Sequence, residues 1–576
     1  MPLCGRVLPV TSLFLRAPPF PGSSAVISSA IRVGDDPAAG PASEAAASAP
    51  AALDLFASIR DARVGGAFWA PPAGLAAPPA VVLRPRATGE LSGLLAGLPE
   101  SARGTALWAL AEGTPRRLTR AIRRLVDRVG GDWRGAVDPW SVLPGSGGLV
   151  AHGDDEWVAV ARIAGVPVRL LSPGRFGAPG DAEAVLDGHV GRALTAARYR
   201  DPFTGADCTP GEAVAVLAEW RRTIDANRPI AVAGGMAWWK RAEIRTFLWN
   251  GKQPAMVRSP RRALALAQRA GGALAIWPSR VSPWLLNEAR RRQVPIVRVE
   301  DGFVRSVGLG SNLVPPSSIV VDHSGIHFDP AGPSDLETIL AQTRFAPALT
   351  ERARALRQTI VAAGISKYGA GTAIPAPARA SSRKVVLVAG QVEDDMSVLA
   401  GGGGLRSNLE VLRRARALEP DAEVWFRPHP DVDAGHRKGR IADGEALALA
   451  DRIVRGPPMP ALLDAADAVH VLTSLTGFEA LMRGREVVCH GTPFYAGWGL
   501  TRDLGFVPDR RGRPLTLDEL VAGVLILYPR YLDPVTRLPC PPEVLVGRMA
   551  ADGAPNRLGW IGPLRRWQGR FMAAWR

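Results

Sequence analysis

Several clusters of polar residues follow apolar runs, and each is of a type that could do chemistry. Glu300-Asp301-Gly302 closes the run PIVRVE (295–300). Acids at the carboxyl edge of a strand stand where α/β sheets bind ligands, although an Asp-Gly turn explains the same residues structurally. Gln391-Val392-Glu393-Asp394-Asp395-Met396-Ser397 follows KVVLVAG (384–390). Three adjacent carboxylates repel and raise at least one pKa, so one could act as nucleophile or base at a sugar carbon. A solvated acidic loop is the plainer reading. Gly401–Gly404 then precede Asn408, a glycine run that could cradle phosphate or simply flex. Arg427-Pro428-His429-Pro430-Asp431 ends the run AEVWFRPHP (422–430). The stiff backbone presents a ring able to donate to a phosphate or to protonate a leaving group; a structural histidine is the alternative. Thr473-Ser474-Leu475-Thr476-Gly477-Phe478-Glu479 puts hydroxyls at a helix start. That arrangement suits an anion, with Glu479 placed to bind ribose hydroxyls, and it equally suits a plain helix cap.

These clusters need elements that bring them to one edge. From about residue 228 onward, β-type runs alternate with amphipathic helical ones. IAVAGG (230–235), LAIW (274–277), PIVRVE, KVVLVAG, AEVWFRPHP, VHVLTS (469–474) and EVVCHG (486–491) are the strand candidates. This alternation predicts parallel sheets with helices on both faces. GAGTAIPAPARASSR (369–383) reads as a linker between two α/β halves, and a cleft between such halves is the usual nucleotide site. Further upstream, WVAVARIAGVPVRLL (157–171) reads as a buried helix leading into a strand. A weak repeat joins the two ends of the chain. Tyr199-Arg200-Asp201-Pro202-Phe203-Thr204 and Cys208 recur, 332 residues on, as Tyr531-Leu532-Asp533-Pro534-Val535-Thr536 and Cys540. ARIAGVPV (161–168) likewise resembles LMRGREVV (481–488), so two related modules are expected, the first cut down.

Composition narrows the class. The chain has 576 residues and a formal net charge of +16, carried by arginine, with only five lysines among 70 basic residues. A solvated basic surface and a polyanionic or membrane partner are both compatible with that charge. No apolar run free of proline approaches the ~18 residues of a membrane-spanning helix; Leu520–Tyr528 has nine and Ile230–Trp239 ten. Cys4, Cys208, Cys489 and Cys540 are far apart and form no CxxC or Cys/His cluster, so neither a zinc site nor a disulfide framework is expected. The first 22 residues read as a tail rather than a secretory signal, and 17–53, rich in Ala, Pro, Ser and Gly, as disordered.

Taken in order, EDGFVRSVGLGS, PPSSIVVD, SKY, GQVEDDMS, RPHPDV, TSLTGFEALMRG and GTPFYAGWGLTRD resemble the capsule polysaccharide biosynthesis family of β-Kdo transferases (KpsC/LipA type) over about 228–550. The resemblance implies an α/β, GT-B-like pair of Rossmann-like halves preceded by a reduced α/β amino-terminal module. It implies retaining transfer of β-Kdo from CMP-Kdo to a Kdo-terminated lyso-phosphatidylglycerol glycolipid, without metal or other cofactor. It places the protein in the cytoplasm, peripheral at the inner face of the bacterial inner membrane, with an anionic membrane surface as a partner and capsule assembly and export proteins as candidate partners. Carried over residue by residue, Asp395 is the nucleophile, Asp394 beside it left open, and Glu300 and Asp301 are the acids facing acceptor or sugar. Gln391, His429, Pro430, Ser474, Thr476 and Glu479 fall at the donor, and Arg305, Lys367 and Tyr368 on the acceptor side. The chain departs from the family pattern at Gly369, where Asn is expected, and at Pro278, where Gly is expected.

The expected organisation is a low-complexity segment 1–53, a reduced module 54–225, an acceptor-side half 226–372, a linker 373–383, a CMP-sugar half 384–530 and a carboxyl-terminal helical segment 531–576. Within that last segment, Leu564, Trp567, Phe571 and Trp575 align on one helical face flanked by arginines, as in an interfacial helix or a packed terminal one. Two other readings compete: a GT-B enzyme using a different nucleotide sugar, and a non-catalytic capsule-assembly scaffold. A nucleic-acid partner is not expected, since no RRM, KH or helix-turn-helix signature is present.

Overall fold

The computed structural model describes residues 14–23, 49–306, 314–367, 369–370, 374–379 and 382–551. They form two compact units. The first takes the described residues up to Arg228 together with Leu248–Gln253, and the second takes Pro229–Phe247 and those from Pro254 onward. Tyr368 and the aromatic stripe at 564–575 lie outside the described residues.

The first unit is built on a parallel five-stranded sheet. Its strands are β1 (Val82–Leu83), β2 (Leu107–Ala109), β3 (Asp132–Arg134), β4 (Leu149–Ala151) and β5 (Val168–Leu170), in the order β3-β2-β1-β4-β5. Leu83, Trp108, Ile122 and Val150 are buried in its core. The helix Glu156–Ile163 is buried from Trp157 to Ile163, with its one charged residue there, Arg162, paired to Asp187 at 2.7 Å, and Asp155 caps it by accepting from Trp157 N at 3.0 Å. A hairpin follows, β6 (Tyr199–Arg200) and β7 (Asp207–Cys208), with Tyr199 opposite Cys208. The low-complexity reading needs correction at both ends. Phe14, Leu15 and Phe20 are buried, Phe20 against the rings of Trp220 and Trp249, and a helix begins at Ala49. Three large apolar side chains within seven residues offset the ordering entropy that an Ala/Pro/Ser average suggests is lost.

The second unit holds two sheets. The seven-stranded one runs β22 (Pro539–Cys540), β21 (Pro529–Leu532), β12 (Ser318–Asp322), β11 (Ile296–Asp301), β10 (Ala273–Ile276), β8 (Ile230–Gly234) and β9 (Ala255–Val257). Its parallel part is β8 (Ile230–Gly234), β9 (Ala255–Val257), β10 (Ala273–Ile276) and β11 (Ile296–Asp301). β12 (Ser318–Asp322) pairs antiparallel with β11. A small hairpin, β13 (Ile365–Ser366) and β14 (Gly369–Ala370), follows, with Lys367 at its turn. The second sheet is wholly parallel. Its strands are β15 (Val385–Ala389), β16 (Glu423–Arg427), β17 (Arg452–Ile453), β18 (Ala468–Val471), β19 (Glu486–Cys489) and β20 (Arg502–Asp503), ordered β17-β16-β15-β18-β19-β20. Every residue of β15 and of β18 is buried, which explains why β15 reads as an unbroken apolar run and β18 as one broken only by His470. The order is the doubly wound 3-2-1-4-5-6, with its switch point between β15 and β18.

The carboxyl-terminal segment is not purely helical. The chain returns to the first sheet as β21 (Pro529–Leu532), paired antiparallel with β12, turns into β22 (Pro539–Cys540), and only then forms the helix Pro542–Ala550. Tyr531 faces Cys540 as Tyr199 faces Cys208, so the sequence repeat is a repeated hairpin. In both copies the aspartate two residues after the tyrosine accepts from the main chain and hydroxyl of the following threonine.

Candidate active site

The switch point of the parallel sheet fixes the donor-side loops. β15 ends at Ala389 and β18 at Val471, and Gln391 bolts the two exits together. Its amide donates from Nε2 to Thr473 Oγ1 at 3.0 Å and accepts from Thr473 N at 2.8 Å. Asn408 locks the same loop from behind, its Oδ1 accepting from Gln391 N and its Nδ2 donating to Gln391 O. Gln391 is therefore spent on the scaffold. Beyond it, Asp395 lies exposed at the start of the helix Met396–Gly401, accepting from Ser397 N at 3.0 Å and Ser397 Oγ at 2.8 Å. Asp394 is paired with Arg437 at 3.0 Å, and Glu393 accepts from Asn408 N. The glycine run ends this helix: Gly403 and Gly404 take positive φ, and Gly401 packs on Thr473.

His429 leaves β16 and caps the short helix Pro430–Asp433, its Nδ1 accepting from Asp431 N at 3.2 Å. An accepting Nδ1 carries no proton, so the neutral ring holds its proton on Nε2, which has no partner among the described residues. Burial lowers the pKa of this ring, and the neutral, outward-donating tautomer is the resting one. Pro430 begins the helix it caps.

After β18, Ser474 Oγ donates to Thr476 Oγ1 at 3.0 Å and accepts from Thr476 N at 3.2 Å. Tyr495 donates its hydroxyl to Ser474 O, and this contact explains the glycine in Thr-Gly-Phe-Glu: a Cβ on Gly477 would overlap the Tyr495 hydroxyl. Gly477→Ala is expected to displace Tyr495 and lower stability by about 1–3 kcal/mol, read as a fall in thermal midpoint. Glu479 makes a structural contact in this geometry. It is buried, its pKa raised by burial, and its Oε1 accepts from Lys367 N at 3.0 Å, tying the two halves of the unit together.

The acceptor-side half contributes the end of β11. Glu300 is half-buried, and burial, followed by the Asp301 charge, pushes its carboxyl up to about 7. Asp301 is pushed up by burial, but the Lys240 and Arg305 charges prevail and hold it low and ionised. Lys240 Nζ contacts both Asp301 oxygens at 3.0 and 3.1 Å and lies 3.4 Å from the Trp277 ring centroid. Arg305 is fully buried; its Nε is 3.0 Å from Asp301 Oδ2, and its other nitrogens donate to Ser306 Oγ and Val314 O at 2.8 Å. Arg305 thus supports Asp301 rather than reaching outward. Sequence reasoning passed over Lys240. Its signal was a rare lysine, in a chain that otherwise uses arginine, five residues after the run IAVAGG.

Lys367 joins the two edges. Its charge bears on Glu300, Asp301 and His327 from the first half and on Glu479 and His429 from the second. Asp395 also bears on His429. Phe303, two residues after Asp301, packs its ring 4.6 Å from that of Phe494. The charge of Lys367 thus acts on groups of both halves, on Glu300 and Asp301 at the end of β11 and on His429 after β16. Gln391, Glu479 and Arg305 make structural contacts, with Thr473, Lys367 N and Asp301.

The first unit has the same strand order but a different edge. Arg84, just after β1, pairs with Asp155, after β4, at 2.8 Å, and its guanidinium lies 4.4 Å from the Trp157 ring centroid. A buried ion pair occupies the switch point where a nucleotide would lie.

The pattern of the family described as "Capsule polysaccharide biosynthesis protein" matches residues 273–531. The capsule polysaccharide modification protein LipA of Neisseria meningitidis serogroup A is 40% identical over 344 residues, covering 60% of this chain and 48% of LipA. The lipopolysaccharide-processing protein LpsZ of Rhizobium meliloti is 40% identical over 331 residues, covering 56% of this chain and 74% of LpsZ. Among solved structures, the Thermosulfurimonas dismutans KpsC beta Kdo 2,4 transferase is 33% identical, with a TM-score of 0.49, over 56% of this chain and 98% of that one. The match spans about half the length of the LipA proteins and about three quarters of LpsZ.

Proposed function

This chain belongs to the capsule polysaccharide biosynthesis family, and from that premise we propose that it transfers β-Kdo from CMP-Kdo to a Kdo-terminated lyso-phosphatidylglycerol glycolipid with retention. The observation that carries the reading is Lys367, whose N–H donates to Glu479 of one half, whose carbonyl accepts from Arg305 N of the other, and whose charge acts on Glu300, Asp301 and His429. Retention needs a carboxylate at the anomeric carbon, and Asp395 is the exposed acid beside His429. Glu300, poised near neutrality, takes the proton from the acceptor hydroxyl in the second displacement. His429 Nε2 donates to the cytidylate phosphate, beside the Ser474 and Thr476 loop, and Lys367 balances the negative charge that gathers there. Asp301, fixed by Lys240 and Arg305, stays ionised and helps hold Glu300 partly protonated. The acceptor is a lipid, so the enzyme works at the cytoplasmic face of the inner membrane as a peripheral protein. No helix among the described residues is long and apolar enough to cross a membrane.

Calorimetry tests the donor assignment. CMP is expected to bind and UDP to bind much more weakly; the reverse preference would favour another nucleotide sugar, and no binding of either would favour a scaffold. His429→Ala is expected to weaken CMP binding by about 1.5–3 kcal/mol, the range for a hydrogen bond to a charged group, and to slow transfer. Unchanged CMP affinity would leave His429 as a helix cap alone.

A further inference from the structure

Three arginines gather where β8 and β9 leave the first sheet of the second unit. Gly234 pairs with Val257, so the loop after β8 and Arg258 after β9 emerge side by side. That loop passes through the short turn Trp238–Lys240 into the helix Arg241–Phe247. Arg241 is anchored by its Nε, which donates to Met236 O at 3.2 Å, and Arg245 lies one helical turn on. Burial first, and then the charges of Arg258 and Arg245, lower the Arg241 pKa, and no carboxylate figures among the charges it feels. Glu243, the acid of this helix, is buried. Other arginines of this unit are paired with acids, as Arg352 is with Glu543 and Arg455 with Asp443, whereas Arg241, Arg245 and Arg258 make no ion pair among the described residues. Like charges left together without counter-ions repel, and an anionic ligand relieves that repulsion. Beside them Trp238 is 60% exposed, and Trp284, 43% exposed, lies under the Arg261 guanidinium.

The sheet order sets these residues on a line with the catalytic acids. The carboxyl ends run from β11 with Glu300 and Asp301, through β10 with Trp277 and β8 with Trp238 to Lys240, to β9 with Arg258. Three strand spacings make this about 14 Å along one edge. We propose that Arg241, Arg245 and Arg258 with Trp238 form a distal acceptor subsite, binding carboxylates of acidic sugars behind the growing end while the indole stacks on a sugar face. The guanidinium fork matches a carboxylate, and indole offers an apolar face with a polar edge. The proposal rests on the transferase reading above, because that reading supplies an acidic oligosaccharide.

The test compares full-length protein with Arg258→Gln, with Arg241→Gln/Arg258→Gln and with Trp238→Ala, after thermal melting confirms that each is folded. Lipid-free acceptors carrying one or three Kdo residues are used, together with a lipid-bearing form. KM for the three-residue acceptor is expected to rise at least tenfold in the double variant, with kcat within twofold and CMP affinity unchanged. The one-residue acceptor, too short to reach the cluster, is expected to be unaffected. Equal shifts on both acceptors, or none, would overturn the subsite. A shift confined to the lipid-bearing acceptor would also overturn it, by assigning the cluster to a headgroup phosphate. Calorimetric binding of the lipid-free three-residue glycan, expected to weaken at least tenfold in the double variant, needs no turnover. A wild-type protein that binds this glycan through the cluster but transfers nothing would overturn the transferase reading and leave the subsite standing.

Discussion

Asp395→Asn is expected to lower Kdo transfer by about a thousandfold or more while leaving CMP affinity within about twofold. The substitution is informative because the structural role of this side chain is known. Asp395 caps the helix Met396–Gly401 through Ser397 N and Oγ, and asparagine caps a helix start about as well as aspartate. The fold and the donor loops are therefore expected to persist, and the loss reports the missing nucleophile. A group that acts mainly in the transition state changes rate and not ground-state affinity. Single-turnover kinetics beside calorimetry checks both. Near-normal turnover would move the role to Glu300, since Asp394 is paired with Arg437 and Glu393 is committed to Asn408.

Glu300→Gln is expected to cost about a hundredfold to ten-thousandfold in rate, the range for a lost general base, and to remove a pH limb. The wild-type carboxyl titrates at about 7, raised by burial and by Asp301. The base is the ionised form, so the rate rises with pH up to about 7 and falls about tenfold per unit below it. Glutamine cannot titrate, and the variant is expected to show a flat profile across that range. Steady-state rates from pH 5.5 to 8.5 decide it. A surviving limb in Glu300→Gln would assign the titration to another group.

Much of the architecture was legible because it depends on patterns the backbone imposes. The strand runs KVVLVAG and VHVLTS are mostly apolar because β15 and β18 are covered on both faces, and the polar clusters follow them because loops leave at the carboxyl edge. The Tyr-x-Asp-Pro-x-Thr repeat was visible, but its meaning as a hairpin was not, since the pairing of Tyr531 with Cys540 is a register that spacing alone does not state. Roles were harder to read than positions. Gln391 and Glu479 stand where the motif puts them, and their polar atoms bond Thr473 and the main chain of Lys367. Arg305 is buried behind Asp301 for the same reason: a motif fixes a residue on the chain and leaves open which way its side chain turns. Lys240 escaped notice because its partner, Asp301, is 61 residues away.

The most direct measurement is one incubation of the full-length protein with CMP-Kdo, generated in place, and a Kdo-terminated glycolipid acceptor. Product is read by mass spectrometry and its new anomeric centre by NMR. The account predicts an acceptor lengthened by Kdo in the β configuration, with CMP released. An α-linked product, or no product while a different nucleotide sugar is consumed, would contradict it.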